Sequence, residues 1–110
     1  MSLVGLNEAK MYLRVDTEDE DEFISVLIQS AGRLCADVAR LTERKWEVIN
    51  SGVEETEEYS KEELTAIRET MKVAILYTIA YLFEHREEAD HHDLILTLRC
   101  LLFALREGVI

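Results

Sequence analysis

Thr17-Glu18-Asp19-Glu20-Asp21-Glu22-Phe23-Ile24-Ser25-Val26-Leu27-Ile28-Gln29-Ser30-Ala31-Gly32-Arg33-Leu34-Cys35-Ala36-Asp37-Val38 is the stretch that decides the fold class. Ile24, Leu27, Ile28, Ala31, Leu34, Cys35 and Val38 recur at the three- and four-residue spacing of one helix face, while Arg33, Asp37 and Arg40 fall on the other. Thr17 with Glu20 three residues on is a capping-box pattern, and the acids at 18–22 suit the positive end of a helix dipole. The stretch therefore predicts a long amphipathic helix from about Glu18 to Leu41. One flank is unusually small: Ser25, Gly32, Ala36 and Ala39. An internal glycine costs about 1 kcal/mol relative to alanine, so a close approach by another helix, within the subunit or from a neighbour, is the expected compensation.

Working outward, Asn7 to Arg14 reads as a short helix with Leu6, Ala9, Leu13 and Tyr12 on its apolar side. Thr42 to Tyr59 is the least regular part: Trp46-Glu47-Val48-Ile49 reads as a short strand or hairpin arm, and Asn50-Ser51-Gly52 as a turn. Ser60 with Glu63 repeats the capping box and opens a helix over about Lys61 to His85. Its second half (Val73, Ile75, Leu76, Tyr77, Ile79, Tyr81, Leu82) is apolar nearly all round, which marks it as central. Arg86 to Asp90 is a polar loop. Asp90 with Asp93 starts a last helix carried by Leu94, Leu98, Leu101, Leu102 and Leu105 and ended by Gly108. The expected fold is mostly α: a small bundle of about four helices (one short, two long, one C-terminal) with an irregular or hairpin-like connection around residues 42–60. At 110 residues, 1–110 is read as a single domain with one modest core.

Twenty-three acids against twelve bases give a net charge of −11. That opposes binding to nucleic acid through phosphates, and opposes an anionic membrane surface. The apolar run Val73 to Phe83 spans about 16 Å as a helix, roughly half a bilayer core, so no membrane span is expected. The amino terminus carries no basic-then-apolar export pattern, which points to synthesis in the cytoplasm. Cys35 and Cys100 lie among apolar residues at helical spacing and are read as buried free thiols, with a disulfide as the alternative.

The only cluster with metal-ligand chemistry is His85, Glu87, Glu88, His91, His92 and Asp93. It spans a loop that fixes no common ligand face, so it is read as a polar turn, with His85 capping carbonyls of the preceding helix. No nucleophile at a sharp turn and no glycine-rich phosphate loop is present. The paired acids Glu54, Glu55, Glu57 and Glu58 read as a solvated segment. These residues predict no catalytic site, no metal and no cofactor.

Three segments together resemble the gp6-like head–tail connector (adaptor) proteins of tailed bacteriophages and prophages. They are Leu6-Asn7-Glu8-Ala9-Lys10-Met11-Tyr12-Leu13-Arg14-Val15-Asp16 before the acid-capped helix, Ala80-Tyr81-Leu82-Phe83-Glu84-His85-Arg86-Glu87, and Leu101-Leu102-Phe103-Ala104-Leu105-Arg106-Glu107-Gly108. Two departures fall in connections: Ser60-Lys61-Glu62 stands where relatives commonly carry a proline, and Thr42-Glu43-Arg44 where many carry Gly-Arg. The resemblance implies a non-enzymatic virion protein at the head–tail junction, forming a ring of about twelve copies beneath the portal. It would meet the portal and head-closure (stopper) or tail proteins, while DNA passes through without specific binding.

On that expectation Ser25, Gly32, Ala36 and Ala39 are candidates for subunit or helix packing. Glu54, Glu55, Glu57 and Glu58, or the acids 18–22, are candidates for the channel or its rim. Trp46, Leu102, Phe103, Leu105 and Arg106 are candidates for docking. The alternative is a small acidic regulator or DNA mimic that binds a basic partner; a metal-dependent helical enzyme ranks behind it.

Overall fold

In the computed structural model the described residues, 3–87 and 90–105, form five α-helices and a short 3-10 turn, with no strand among them. Helix α1 (Leu6–Leu13) starts from the carbonyl of Gly5 without a side-chain cap and buries Ala9. It ends with Arg14 in the left-handed region (φ 60°), which lets the Val15 N–H reach back to the Lys10 carbonyl at 2.9 Å. Helix α2 (Asp21–Val38) ends the same way: Arg40 has φ 57°, and the Leu41 N–H reaches the Ala36 carbonyl at 3.0 Å. Such closures satisfy carbonyls left over at a helix end and usually place glycine where these two arginines stand.

Helix α2 is shorter than the predicted span from Glu18 to Leu41 at both ends. Thr17 caps nothing. Residues 17–20 instead form a turn in which the Asp21 N–H donates to the Glu18 carbonyl at 3.2 Å. The Glu20 carboxylate is drawn away to Arg86 at 2.7 Å. Ile24, Leu27, Ile28, Ala31 and Cys35 are buried along the predicted stripe.

The hairpin expected within 42–60 is a helix, α3 (Glu43–Ser51). Thr42 caps it, its hydroxyl accepting the Lys45 N–H at 3.1 Å, and Gly52 closes it at φ 79°. The β-branched pair Val48-Ile49 is held helical by tertiary contacts. Ile49 is buried, and the Arg68 guanidinium donates to the Val48 and Ile49 carbonyls at 3.0 and 2.9 Å. The Val48 carbonyl also accepts the Ser51 hydroxyl at 2.7 Å, and a cation at these last carbonyls suits the negative end of the helix dipole.

Helix α4 (Lys61–Glu84) opens with the predicted capping box: the Ser60 hydroxyl accepts the Glu63 N–H at 3.1 Å and donates to the Glu63 carboxylate at 3.3 Å. It packs against α1, α2, α3 and the last helix, as a central element must. It is not enclosed on every side, however; Val73 and Tyr77 are exposed. Helix α5 (His92–Leu102) is entered through Asp90, whose carboxylate accepts the His92 N–H at 3.0 Å, and runs into the 3-10 turn Phe103–Leu105. Leu94, Leu98 and Leu102 are its buried side; Leu101, predicted on that side, is exposed. Gly108 lies outside the described residues.

Helices α2, α4 and α5 each pack on the other two, enclosing Ile24, Met71, Ile75, Ile79, Leu94 and Leu98. Each such side chain contributes about 1.5–3 kcal/mol by leaving water. The start of α2 lies beside the end of α4. There the Arg86 guanidinium stands over the rings of Phe23 (4.6 Å) and Phe83 (4.4 Å), donates to the Phe83 carbonyl at 3.1 Å, and pairs with Glu20. One cation thus fastens the acidic turn before α2 to the end of α4. Between α2 and α4, the Cys35 thiol lies 3.5 Å from the Thr78 hydroxyl, which donates to the Ala74 carbonyl at 2.8 Å. Burial pushes the Cys35 thiol up to about 11, with the Thr78 contact as the smaller, opposing effect. Both cysteines are free. Cys100 is exposed, contrary to the expectation of two buried thiols, because it sits on the side of α5 opposite Leu98 and Leu102.

Candidate assembly surfaces

The small flank of α2 is divided by the fold. Gly32, Ala36 and Ala39 are buried within the subunit, and Ser25 is exposed. Trp46 of α3 approaches Gly32 so closely that a Cβ added there would lie 3.3 Å from the indole Cζ2 and 3.6 Å from Cη2. Trp46, a candidate for docking, is therefore half-buried against its own subunit. Its outer edge helps line a half-open cleft of about 470 Å³ with Leu3, Val4, Gln29, Arg33 and Asn50. The Leu3 N–H donates to the Asn50 side-chain carbonyl across that cleft at 3.2 Å.

The remaining docking candidates also separate. Leu102 is wholly buried, Leu105 half-buried and Phe103 58 % exposed; Arg106 lies outside the described residues.

Glu54, Glu55, Glu57 and Glu58 are all exposed on the connection from α3 to α4. That connection has an ordering device of its own. The Thr56 hydroxyl accepts the N–H groups of Glu58 and Tyr59 at 3.2 and 3.0 Å, and the Thr56 N–H donates to the Tyr59 carbonyl at 2.9 Å. Glu58 takes Arg44 through both Nε (2.7 Å) and Nη2 (2.6 Å), and this hydrogen bonding raises the guanidinium's hold on its proton. Of the acids at 18–22, Glu20 is engaged by Arg86 and Asp21 by Lys10 at 2.7 Å, while Glu18, Asp19 and Glu22 are exposed.

His85 caps α4 as its position predicted, its Nδ1 2.8 Å from the Tyr81 carbonyl. The Tyr81 ring stacks on His85 at 4.1 Å and meets the His91 ring edge-on at 5.9 Å. His92 and Asp93 face solvent, Glu88 lies outside the described residues, and no three described His, Cys, Asp or Glu side chains converge on one point. No helix among the described residues is long and apolar enough to cross a membrane.

One surface was legible in the sequence only at the docking candidate Phe103. Leu96 (44 % exposed), Cys100 and Phe103 follow one another at four- and three-residue steps along the outside of α5. The spacing was legible, but the inward leucines 94, 98 and 102 have an equally good period and drew the helix's apolar character to themselves.

A half-buried cleft, exposed acids and partly exposed apolar helix sides are surfaces that a small helical protein can offer to other proteins. The chain belongs to the phage gp6-like head-tail connector protein family, whose family profile matches residues 4–98, nearly the whole of the helical part. It is thus a phage head–tail connector protein, of a family that is structural rather than catalytic. No curated protein matches the chain. No solved structure does either.

Proposed function

We propose that the chain, acting as one connector domain over 1–110, associates with copies of itself into a ring at the head–tail junction of a phage or prophage virion, below the portal. The observation that carries this reading is the family match along residues 4–98. In this reading the protein is made in the bacterial cytoplasm, docks to the portal and to head-closure or tail proteins, and leaves a channel through which DNA slides. A wall that DNA slides past must not hold phosphates, and a subunit of net charge −11 meets that requirement. The connection bearing Glu54, Glu55, Glu57 and Glu58 is the proposed channel or rim surface, since its acids are exposed, its backbone is tied down by Thr56 and its Glu58 carboxylate is held by Arg44.

The test is removal of the gene from the phage or prophage that carries it, followed by electron microscopy of the particles. Heads and tails that accumulate unjoined, and are joined again when the protein is supplied in trans, are the expected result. Normal yields of tailed, infectious particles without the protein would refute the reading.

A further inference from the structure

We propose that the outward side of α5 in one copy packs on the outward side of α4 in the next; this rests on the ring reading above and names the surfaces that would close it. A ring contact is head-to-tail, so it needs two different surfaces on each subunit that point in diverging directions. Helices α2, α4 and α5 pack mutually, so the outward sides of α4 and α5 diverge from a common core. Each carries large apolar side chains that the subunit leaves partly open to water: Val73 (59 % exposed) and Tyr77 (37 %) on α4, Leu96 and Phe103 on α5.

Charge selects a second copy as the occupant. A basic partner is drawn to the acidic runs, whereas a copy of the same −11 chain can approach only where acids are absent. Residues 70–83 and 94–105 contain no acid at all. The edges of the two surfaces are also opposite in sign. Arg99 lies beside Leu96 and Phe103, Glu69 lies one turn before Val73, both are exposed, and neither has an ion-pair partner among the described residues. Apolar stripe on apolar stripe with Arg99 facing Glu69 places opposite charges at the rim, and a rim pair of this kind sets register more than affinity.

The full chain and two single variants, Phe103→Glu and Val73→Glu, test this by native mass spectrometry and light scattering over a wide concentration range. Both positions are exposed, and circular dichroism together with an unreactive Cys35 checks that the fold is retained. The parent chain is expected to form higher oligomers, and each variant alone to remain a monomer at concentrations where the parent is mostly assembled. Mixed together, the variants should give a dimer and nothing larger, because each keeps the surface the other has lost. Assembly of the parent should also shield Cys100 from a maleimide.

Oligomers that survive either substitution, or that leave Cys100 open to labelling, overturn the assignment of surfaces and leave the ring reading standing. A variant mixture that stays monomeric also overturns it. A parent chain that is monomeric at every concentration overturns self-association itself.

Discussion

Gly32 provides the sharpest test of how α2 and α3 are joined. Replacing it with alanine removes the helix penalty of glycine, a gain of about 1 kcal/mol. The new methyl meets the Trp46 Cζ2 at 3.3 Å, a few tenths of an ångström inside ordinary contact, with Cη2 at an unstrained 3.6 Å. Trp46 and Gly32 both border an open cleft, so the indole can yield by that amount. Returning about half the gain to this adjustment leaves Gly32→Ala more stable than the parent by about 0.5 kcal/mol.

Gly32→Leu has no such escape: its branched end occupies the space of the indole itself, and overpacking of this kind costs about 1–3 kcal/mol. Trp46 is the only tryptophan, so urea unfolding followed by its emission reports stability and environment together. The leucine variant should lose stability and shift its native emission to the red as the indole is expelled into water. A leucine variant as stable as the parent with unchanged emission, or an alanine variant weakened by more than about 1 kcal/mol, would show that the indole does not rest on Gly32 as described.

Arg68→Met keeps the aliphatic stem but removes both bonds to the end of α3, and should lower stability by about 1–3 kcal/mol with Trp46 emission changing alongside; unchanged unfolding would refute the clamp. Arg40→Gly relieves a left-handed backbone at an exposed site and should raise stability by about 0.5–1 kcal/mol in the same assay, a loss being the contrary result. With the Cys35 thiol raised from 9.0 to about 11, the unfolded chain ionises first as pH rises. Stability from this group is therefore intact below pH about 9 and falls across pH 9–11, at a slope of at most about 1.4 kcal/mol for each step of one in pH. Cys35→Ser should flatten that decline, and at neutral pH, at dilutions where the chain is a monomer, a thiol reagent should label Cys100 once per chain and Cys35 only after denaturation. Reversing Glu54, Glu55 and Glu57 to lysine should leave folding within about 0.5 kcal/mol, since all three are exposed, yet confer salt-sensitive DNA binding and slow DNA release from particles. Release at the normal rate would remove this segment from the channel.

The helices legible from sequence were those where periodicity and end signals agree. Ser60 and Glu63 placed the start of α4 to the residue, and the stripe from Ile24 to Val38 gave α2 its buried side. The errors share a cause: contacts distant in sequence overrode local pattern. Thr17 and Glu20 have capping-box spacing, but Glu20 is committed to Arg86, sixty-six residues on, and the helix begins later. Trp46-Glu47-Val48-Ile49 has strand-like residues, but the gap over Gly32 and the Arg68 clamp hold it as helix. Thr42 ahead of Glu43 was a readable start signal, outweighed by the β-branched pair that follows.

At the candidate surfaces, residue type showed which side chains prefer burial but not which apolar side of α5 the core would use. Leu102 and Phe103, adjacent in sequence, therefore ended on opposite sides of the boundary with water.

The position of Arg86 has a consequence for local opening. Because it grips Glu20 and Phe23 while anchored at Phe83, the turn at 17–20 cannot loosen unless the last turn of α4 lets go as well. Backbone amides in these two regions should exchange with deuterium through a single shared excursion, and Arg86→Ala should quicken both by a similar factor while leaving α3 unaffected.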